Sequence, residues 1–334
     1  MWRLAVPLTC LATDRWARSS APSYATVTYA ANSPIEDRVS AETISEGVLT
    51  SVFDGHGGWQ ISNYLHQHIS PVFASAYQRS TGPPKKRVEA ALRQSYDQME
   101  SAVVDMARQA YKVGFGEVAS TGSCAITAVV LPGFFAVANS GDCQAVLVSV
   151  KDGQITGKNI CTIHSSNSLS EQEKLRALHP GEADIVVCRH AKACYVKQRL
   201  MPTRSFGDLD LKWPEFNNPD HLPRQQGFRS VKSPFTGPYI THVPDIVVSD
   251  ISPHDKFLIL ASDGLWDEMS EQEAADLVGG LEDPGKAASL LLETALSIAA
   301  KNARLTVAEL KALKHGRRRL HDDISIAVVR LRKE

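Results

Sequence analysis

The chain has 334 residues, 43% of them apolar, enough for one large domain or two small ones with a full core. Lys and Arg total 36 against 37 Asp and Glu, a formal charge of −1, so the overall balance suggests neither nucleic acid nor a membrane surface as partner. No apolar run reaches the roughly 18 residues of a membrane helix, and six cysteines without a C-x-x-C pair or framework spacing read as small buried hydrophobes, which predicts a reducing compartment.

Residues 1–23 mix Trp2, Leu4, Val6, Leu8 and Leu11 with Arg3, Arg15 and Arg18, then Ser19, Ser20 and Ser23, against a single acid, Asp14. That is the composition of a mitochondrial targeting segment, so a matrix location is expected; a plain tail on a cytoplasmic protein is the alternative. Tyr24 to Tyr29 alternates as a strand does and leads into Asn32-Ser33-Pro34-Ile35-Glu36-Asp37-Arg38. Neighbours on an extended chain face opposite ways. Glu36 and Asp37 therefore cannot both enter one site directly; one acts through backbone or water, or the two are a surface charge pair. The next strand, Val48 to Phe53, runs into Asp54-Gly55-His56-Gly57-Gly58. Glycines there permit positive φ or close backbone approach, which holds Asp54 and His56 at the strand's end as a metal ligand and a proton donor. A simple Asp-Gly hairpin turn is the other reading of those residues.

A helical period begins at Trp59, with Ile61, Leu65, His68, Ile69, Val72 and Phe73 on one side. After the Thr81-Gly82-Pro83-Pro84 break, Lys85 to Tyr111 carries a core stripe of Val88, Ala91, Leu92, Met99, Val103 and Met106. His66 and His68 read as surface or satisfied core groups. Strands at Gly122 to Leu131, Phe134 to Asn139 and Ala145 to Val150, joined by tight turns, imply antiparallel pairing, and Asp142 sits in the second turn beside a glycine. Ser170 with Glu173 predicts a capping box on a short helix ending at Ala177 or Leu178. Leu200 to Asp208 is a compact polar segment in which Arg204 is a candidate anion binder.

Residues 209–240 carry prolines and glycines without periodicity, the pattern of a loop or flap over a site. Phe257 to Ala261 is a buried strand that empties into Ser262-Asp263-Gly264-Leu265-Trp266-Asp267, repeating the design at Asp54. Ser270 with Glu273, then Asp283-Pro284, open two further helices. His321-Asp322-Asp323 precedes a last strand, Ile324 to Leu331. No repeat or low-complexity linker divides residues 24–334, which read as one α/β domain whose strand ends repeatedly present carboxylates.

Asp54, Asp142, Asp263 and Asp322 each lie at a strand edge or tight turn, three of them beside glycine. If they converge they repel, so the set needs cations, and oxygen-only ligands select hard ions such as Mg²⁺ or Mn²⁺. Two such ions, roughly 3.5–4 Å apart, activate a bridging water for in-line displacement at phosphorus. The basic cluster Lys314, His315, Arg317, Arg318 and Arg319 reads either as a solvated loop or as a dock for an acidic partner.

These motifs, in this order, resemble the metal-dependent Ser/Thr protein phosphatases of the protein phosphatase 2C type from about Ala30 onward. The segments that carry the resemblance are Ile35-Glu36-Asp37, Val52-Phe53-Asp54-Gly55-His56-Gly57-Gly58, Ser120-Thr121-Gly122-Ser123, Ala138-Asn139-Ser140-Gly141-Asp142, Arg204-Ser205-Phe206-Gly207-Asp208, Ser262-Asp263-Gly264-Leu265-Trp266-Asp267 and Asp322-Asp323-Ile324-Ser325. Within the family, the Asn32 to Arg38 and Leu200 to Asp208 segments, Lys212-Trp213 and the Asp322 motif are most similar to the mitochondrial pyruvate dehydrogenase phosphatase branch.

The resemblance implies an α+β fold, a central β-sandwich of two antiparallel sheets flanked by helices in α-β-β-α order. It implies two Mg²⁺ or Mn²⁺ ions with a possible third, a phosphorylated protein as substrate, and the pyruvate dehydrogenase complex as the particular target. Asp54 would bridge the two ions, the Gly55 carbonyl would bind one, and Asp263 and Asp322 the other. Glu36 would act through water, Asp37 and Asp267 from behind the ligands, Asp142 at the third ion, and His56 as the acid that protonates the leaving oxygen. Many members carry an arginine where this chain has Asn32, which leaves Asn32, Arg38 or Arg204 as candidates for holding the phosphate. His321 and Ile163-His164-Ser165-Ser166 also depart from the family pattern. A different matrix or cytosolic phosphoprotein is the alternative target. An inactive scaffold of the same fold is the other alternative, and the presence of every expected acid argues against it.

Overall fold

The computed structural model describes residues 22–45, 47–190, 193–217, 230–231, 235–313 and 315–331. The targeting reading falls on residues 1–23 and so lies almost wholly outside them. Two sheets dominate. One has the strand order β1-β13-β12-β6-β7, built from β1 (Tyr24–Tyr29), β6 (Gln144–Lys151), β7 (Gln154–Asn159), β12 (Asp255–Ala261) and β13 (Ile324–Arg330). The other runs β11-β5-β4-β3-β2, from β2 (Arg38–Ile44), β3 (Gly47–His56), β4 (Gly122–Leu131), β5 (Phe134–Ser140) and β11 (Asp245–Asp250), with the short β10 (Phe206–Gly207) paired to β4. All pairings in both sheets are antiparallel, as the tight turns of the sequence require.

Period-2 alternation gives the central strands two buried faces. In β3, Val48 and Val52 pack between the sheets with Ile126, Val130, Leu258 and Val329, while Leu49 and Phe53 face outward. The outward face is covered by α1 (Gln60–Arg79) and α2 (Pro84–Lys112) through Leu65, Ile69, Leu92, Tyr96 and Met99. On the opposite sheet, Val146, Phe257, Ile259 and Val328 are covered by α5 (Glu271–Val278) and α6 (Pro284–Asn302). Burial on both faces is why β4 and β12 are near-continuous apolar runs rather than half-polar strands. The result is the α-β-β-α sandwich expected above.

Local expectations fared unevenly. The Ser270 and Glu273 capping box forms, and Pro284 opens α6 with Asp283 as its cap. The box at Ser170 does not: α3 (Leu169–Leu178) begins two residues earlier than a Ser170 cap requires, its N-cap is Ser168 without a side-chain cap bond, and Ser170 Oγ instead shares a hydrogen bond with Ser168 Oγ. Met106, placed in the core stripe by periodicity, is 39% exposed. A second box, Thr306 with Glu309, caps the short α7 (Val307–Ala312), which follows α4 (Asp263–Trp266) and the longer helices in chain order.

The cysteine reading needs correction. Cys188 and Cys194 face each other across the hairpin of β8 (Val186–Cys188) and β9 (Cys194–Val196) and are joined by a disulfide. Cys124 and Cys143 are buried and unpaired as expected, Cys161 is half-buried, and Cys10 lies outside the described residues. Cross-strand register, which spacing alone does not reveal, put the two thiols together, and the reducing-compartment inference loses that support.

Candidate metal centre

The functional residues gather at one end of the sandwich. Strand β3 does not stop at Asp54 but continues through His56, with Asp54 opposite Cys124 and His56 opposite Gly122. By alternation Asp54 therefore continues the inter-sheet face of Val48 and Val52, and its carboxylate emerges where that core ends. Gly55, between them, is required by close approach: a Cβ there would collide with the carbonyl oxygen of Glu36 and with Ser62 Oγ. Asp142 comes from the β5–β6 turn, where the Cys124 thiol donates to its Oδ1 at 3.2 Å. Asp263 opens α4 directly after β12.

Asp54, Asp142 and Asp263 each offer one carboxylate oxygen, and the three lie within 4.8 Å of one another, the one such group among the described residues. Burial, then the charge of Asp263, pushes the Asp54 carboxyl well above the usual range. Asp263 is raised likewise, by burial and then by Asp142 and Asp322. Asp142 is raised by burial in spite of its thiol donor. Asp263 Oδ1 is buried with no hydrogen-bond partner. An orphaned carboxylate oxygen beside two mutually repelling carboxylates is the signature of a cation site, and an all-oxygen donor set fits a hard divalent ion.

Asp322 stands beside this group rather than in it. Its Oδ2 pairs with Arg318 at 2.6 Å and its Oδ1 accepts the Asp323 amide at 2.7 Å, yet its charge still raises Asp54 and Asp263. Asp267 lies exposed one turn beyond Asp263 and adds to the field on Asp142 and Asp263. Glu36 and Asp37 do diverge. Asp37 is buried and accepts from Ser262 Oγ at 2.8 Å, and burial drives its carboxyl well up. Glu36 is half-buried, is raised by burial and accepts from the Gly58 amide.

His56 is held by a partner to which the sequence reading gave no role. Its Nε2 lies 2.7 Å from Asp208 Oδ2, which also accepts from Ser205 Oγ at 2.5 Å. Burial disfavours the charged ring, but Asp208, Asp142 and Glu36 outweigh it and raise the imidazole's pKa. Gly122 makes the pair possible, since a Cβ at that position would run into both Asp208 Oδ2 and His56 Nε2.

Asp323 was missed as well. Its Oδ1 accepts the amides of Ala31 at 2.6 Å and Asn32 at 2.8 Å, and its Oδ2 accepts the Glu36 amide at 2.8 Å and Asn32 Nδ2 at 3.1 Å. One buried carboxylate thus fixes the loop that carries Glu36 and Asp37. His164 steadies the Asp142 turn: its Nδ1 accepts the Gly141 amide at 3.3 Å, which places the ring proton on Nε2, 3.0 Å from Asp245 Oδ2. The adjacent-acid motif and the Asp at the end of Arg204 to Asp208 were visible in the sequence, but nothing there told Asp323, which holds the loop, from Asp322 beside it.

The candidates for holding phosphate are spent inside the protein. Arg38 donates to Asn63 Oδ1 and to the carbonyls of Ile35 and Asp37. Arg204 donates to the Val243 carbonyl at 2.7 Å and to Asp245 Oδ1 at 2.9 Å. Asn32 is turned to Asp323.

A helix-flanked antiparallel sandwich with a carboxylate cluster and a histidine at one end defines the class of metal-dependent phosphatases. The family model described as Protein phosphatase 2C matches residues 23–303. The chain is 34% identical over 310 residues to Probable protein phosphatase 2C 64 of Arabidopsis thaliana, covering 90% of this chain and 75% of that protein. It is 32% identical to Probable protein phosphatase 2C 67 of the same plant, covering 90% and 81%. The chain belongs to the protein phosphatase 2C family. Its fold is that of the serine-threonine phosphatase 2C from Toxoplasma gondii, with a TM-score of 0.63 at 20% identity over 93% of this chain and 95% of that one.

Proposed function

We propose that this chain hydrolyses phosphoserine and phosphothreonine esters of proteins, with the phosphorylated pyruvate dehydrogenase complex as substrate in the mitochondrial matrix. The observation that carries the hydrolytic reading is the convergence of Asp54, Asp142 and Asp263 within 4.8 Å, one residue pair along β3 from a histidine of raised pKa. The Asn32 to Arg38 and Leu200 to Asp208 segments and the basic, serine-bearing composition of residues 1–23 support the choice of substrate and compartment.

Asp54, Asp142, Asp263 and Asp322, with the Gly55 carbonyl, would hold Mg²⁺ or Mn²⁺, two ions with a third at Asp142 and Asp263. Bound there, the ions neutralise the phosphoryl oxygens and acidify the attacking water. Glu36 and Asp37 stand behind the ligands, fixed through Asp323 and Ser262. Asp208 holds the ring of His56 protonated at Nε2, so the imidazolium can pass one proton to the departing serine or threonine oxygen.

The test is dephosphorylation of phosphorylated pyruvate dehydrogenase beside generic phosphoserine peptides, with and without chelator. Activity should vanish on chelation and return with Mn²⁺, and Asp263→Asn should lower kcat by about 10³-fold, the several kcal/mol that metal ions supply in such sites. Activity indifferent to chelation would sink the metal mechanism. Equal rates on all peptides would remove pyruvate dehydrogenase as the particular substrate.

A further inference from the structure

A phosphoserine or phosphothreonine brings a dianion whose non-reacting oxygens call for charge-assisted donors, and a guanidinium fork matches them best. Arg38 and Arg204 are turned to protein acceptors, as described above. Arg318 differs. It lies in the 3-10 turn Arg317–Arg319, four residues before Asp322, with 57% of its side chain exposed. Among the described residues its one ion pair is with Asp322 Oδ2 at 2.6 Å, which places the guanidinium at the rim of the acidic centre. A guanidinium has five N–H donors in a planar fork, so most of this one remains presented outward.

The surroundings favour an incoming anion. Arg317 lies over the Tyr29 ring and donates to its hydroxyl at 3.1 Å, while Arg319 and His315 are exposed beside it. Arg318 is 57% exposed and its Asp322 partner 18%, so the guanidinium can keep its bond to the half-buried carboxylate while its remaining N–H donors, open to water, take a dianion.

We propose that Arg318 is the phosphate-binding arginine of this chain, its guanidinium engaging the non-reacting phosphoryl oxygens of the substrate. The assignment rests on the phosphatase reading and names the residue that holds its substrate.

Steady-state kinetics of the full chain with Mn²⁺ on a phosphoserine peptide, inhibition by inorganic phosphate, and calorimetric titration with Mn²⁺ and with phosphate test it together. In Arg318→Gln, KM and the phosphate inhibition constant should rise about tenfold, the loss of one charge-assisted contact, with a smaller change in kcat. Mn²⁺ affinity should stay unchanged, and Arg318→Lys should recover part of the loss as a point charge. Unchanged KM and phosphate affinity would overturn the assignment. So would a fall in Mn²⁺ affinity large enough to account for the whole effect, which would make Arg318 a holder of Asp322 only. Phosphate calorimetry reads the site even in a chain that turns over no peptide, so failure of the phosphatase reading and failure of this assignment are separate results.

Discussion

Asp323→Asn isolates the device that positions the Glu36 loop. The carboxylate accepts four hydrogen bonds, two at each oxygen, three of them from backbone amides. Asparagine keeps one acceptor oxygen. The other position becomes an NH₂ aimed at two donors, so two bonds are lost and the Glu36 amide and Asn32 Nδ2, or the Ala31 and Asn32 amides, face a donor. Hydrogen bonds to a charged partner contribute about 1.5–3 kcal/mol each, which puts the loss at roughly 3–6 kcal/mol, a large share of ordinary domain stability. Urea unfolding of the metal-free protein, followed by tryptophan fluorescence, measures it as a drop in midpoint at constant m. A second readout separates positioning from bulk stability: Mn²⁺ affinity of the still-folded variant, at low urea, should fall about 10- to 100-fold, as for other groups that orient ligands from behind. A midpoint shift equivalent to less than about 1 kcal/mol with unchanged Mn²⁺ affinity would refute the role given to Asp323.

Gly122→Ala drives a methyl group between His56 and Asp208, so kcat should drop about 10²-fold, the usual worth of a general acid, while the Mn²⁺-induced rise in melting temperature is kept. A kcat within twofold of wild type would show that the pair does not serve catalysis. Metal should stabilise the folded chain by about 2.7 kcal/mol at a hundredfold excess over Kd, and this gain should vanish in Asp54→Asn, read by calorimetric melting. Asp210, 1% exposed, has its carboxyl pushed up to about 6 by burial, against the opposing charge of Arg199. A carboxyl raised in the folded state binds extra protons between its unfolded value near 4 and about 6, so its contribution is present below that window and is lost as pH rises through it. The stability of wild type relative to Asp210→Asn should therefore fall by up to about 3 kcal/mol from pH 4 to pH 6, and a flat difference would contradict the shift.

The parts of the fold legible in the sequence were those where burial acts on both faces. Strand β4 is wholly buried and its bounds follow directly from its apolar run. Strands β7 and β11 sit at sheet edges, with alternate residues exposed in β7 and Asp250 exposed in β11, and their mixed composition hides them among loops. Strand β2 was lost for the same reason. At the centre, Asp54 and Asp263 announced themselves because each ends a buried strand beside glycine. The pair Asp322 and Asp323 did not divide its labour in the sequence, since two adjacent acids look alike until the loop they face is in place. The role of Asp208 was hidden because its partner, His56, lies 152 residues away. Residues 209–240, where a loop or flap is expected, are described only in part. In them Tyr239 packs on Leu211 and donates its amide to the Leu211 carbonyl at 2.9 Å.

Strand β1 pairs along its whole length with β13, and Asp323, just before β13, holds the loop that follows β1. The consequence is one of timing during synthesis. At about 5–20 residues per second, roughly 13–50 s separate the emergence of Asp54 from that of Asp322, and through that interval the Glu36 loop lacks the four hydrogen bonds that Asp323 supplies. The helices α1 and α2, which pack on each other and on β3 to β5, can form early, whereas the acidic centre waits for the last strand. A ribosome-bound chain halted before Ile324 should therefore be protected from protease over α1 and α2 yet bind no Mn²⁺, so that catalytic competence arrives only when the sandwich is closed.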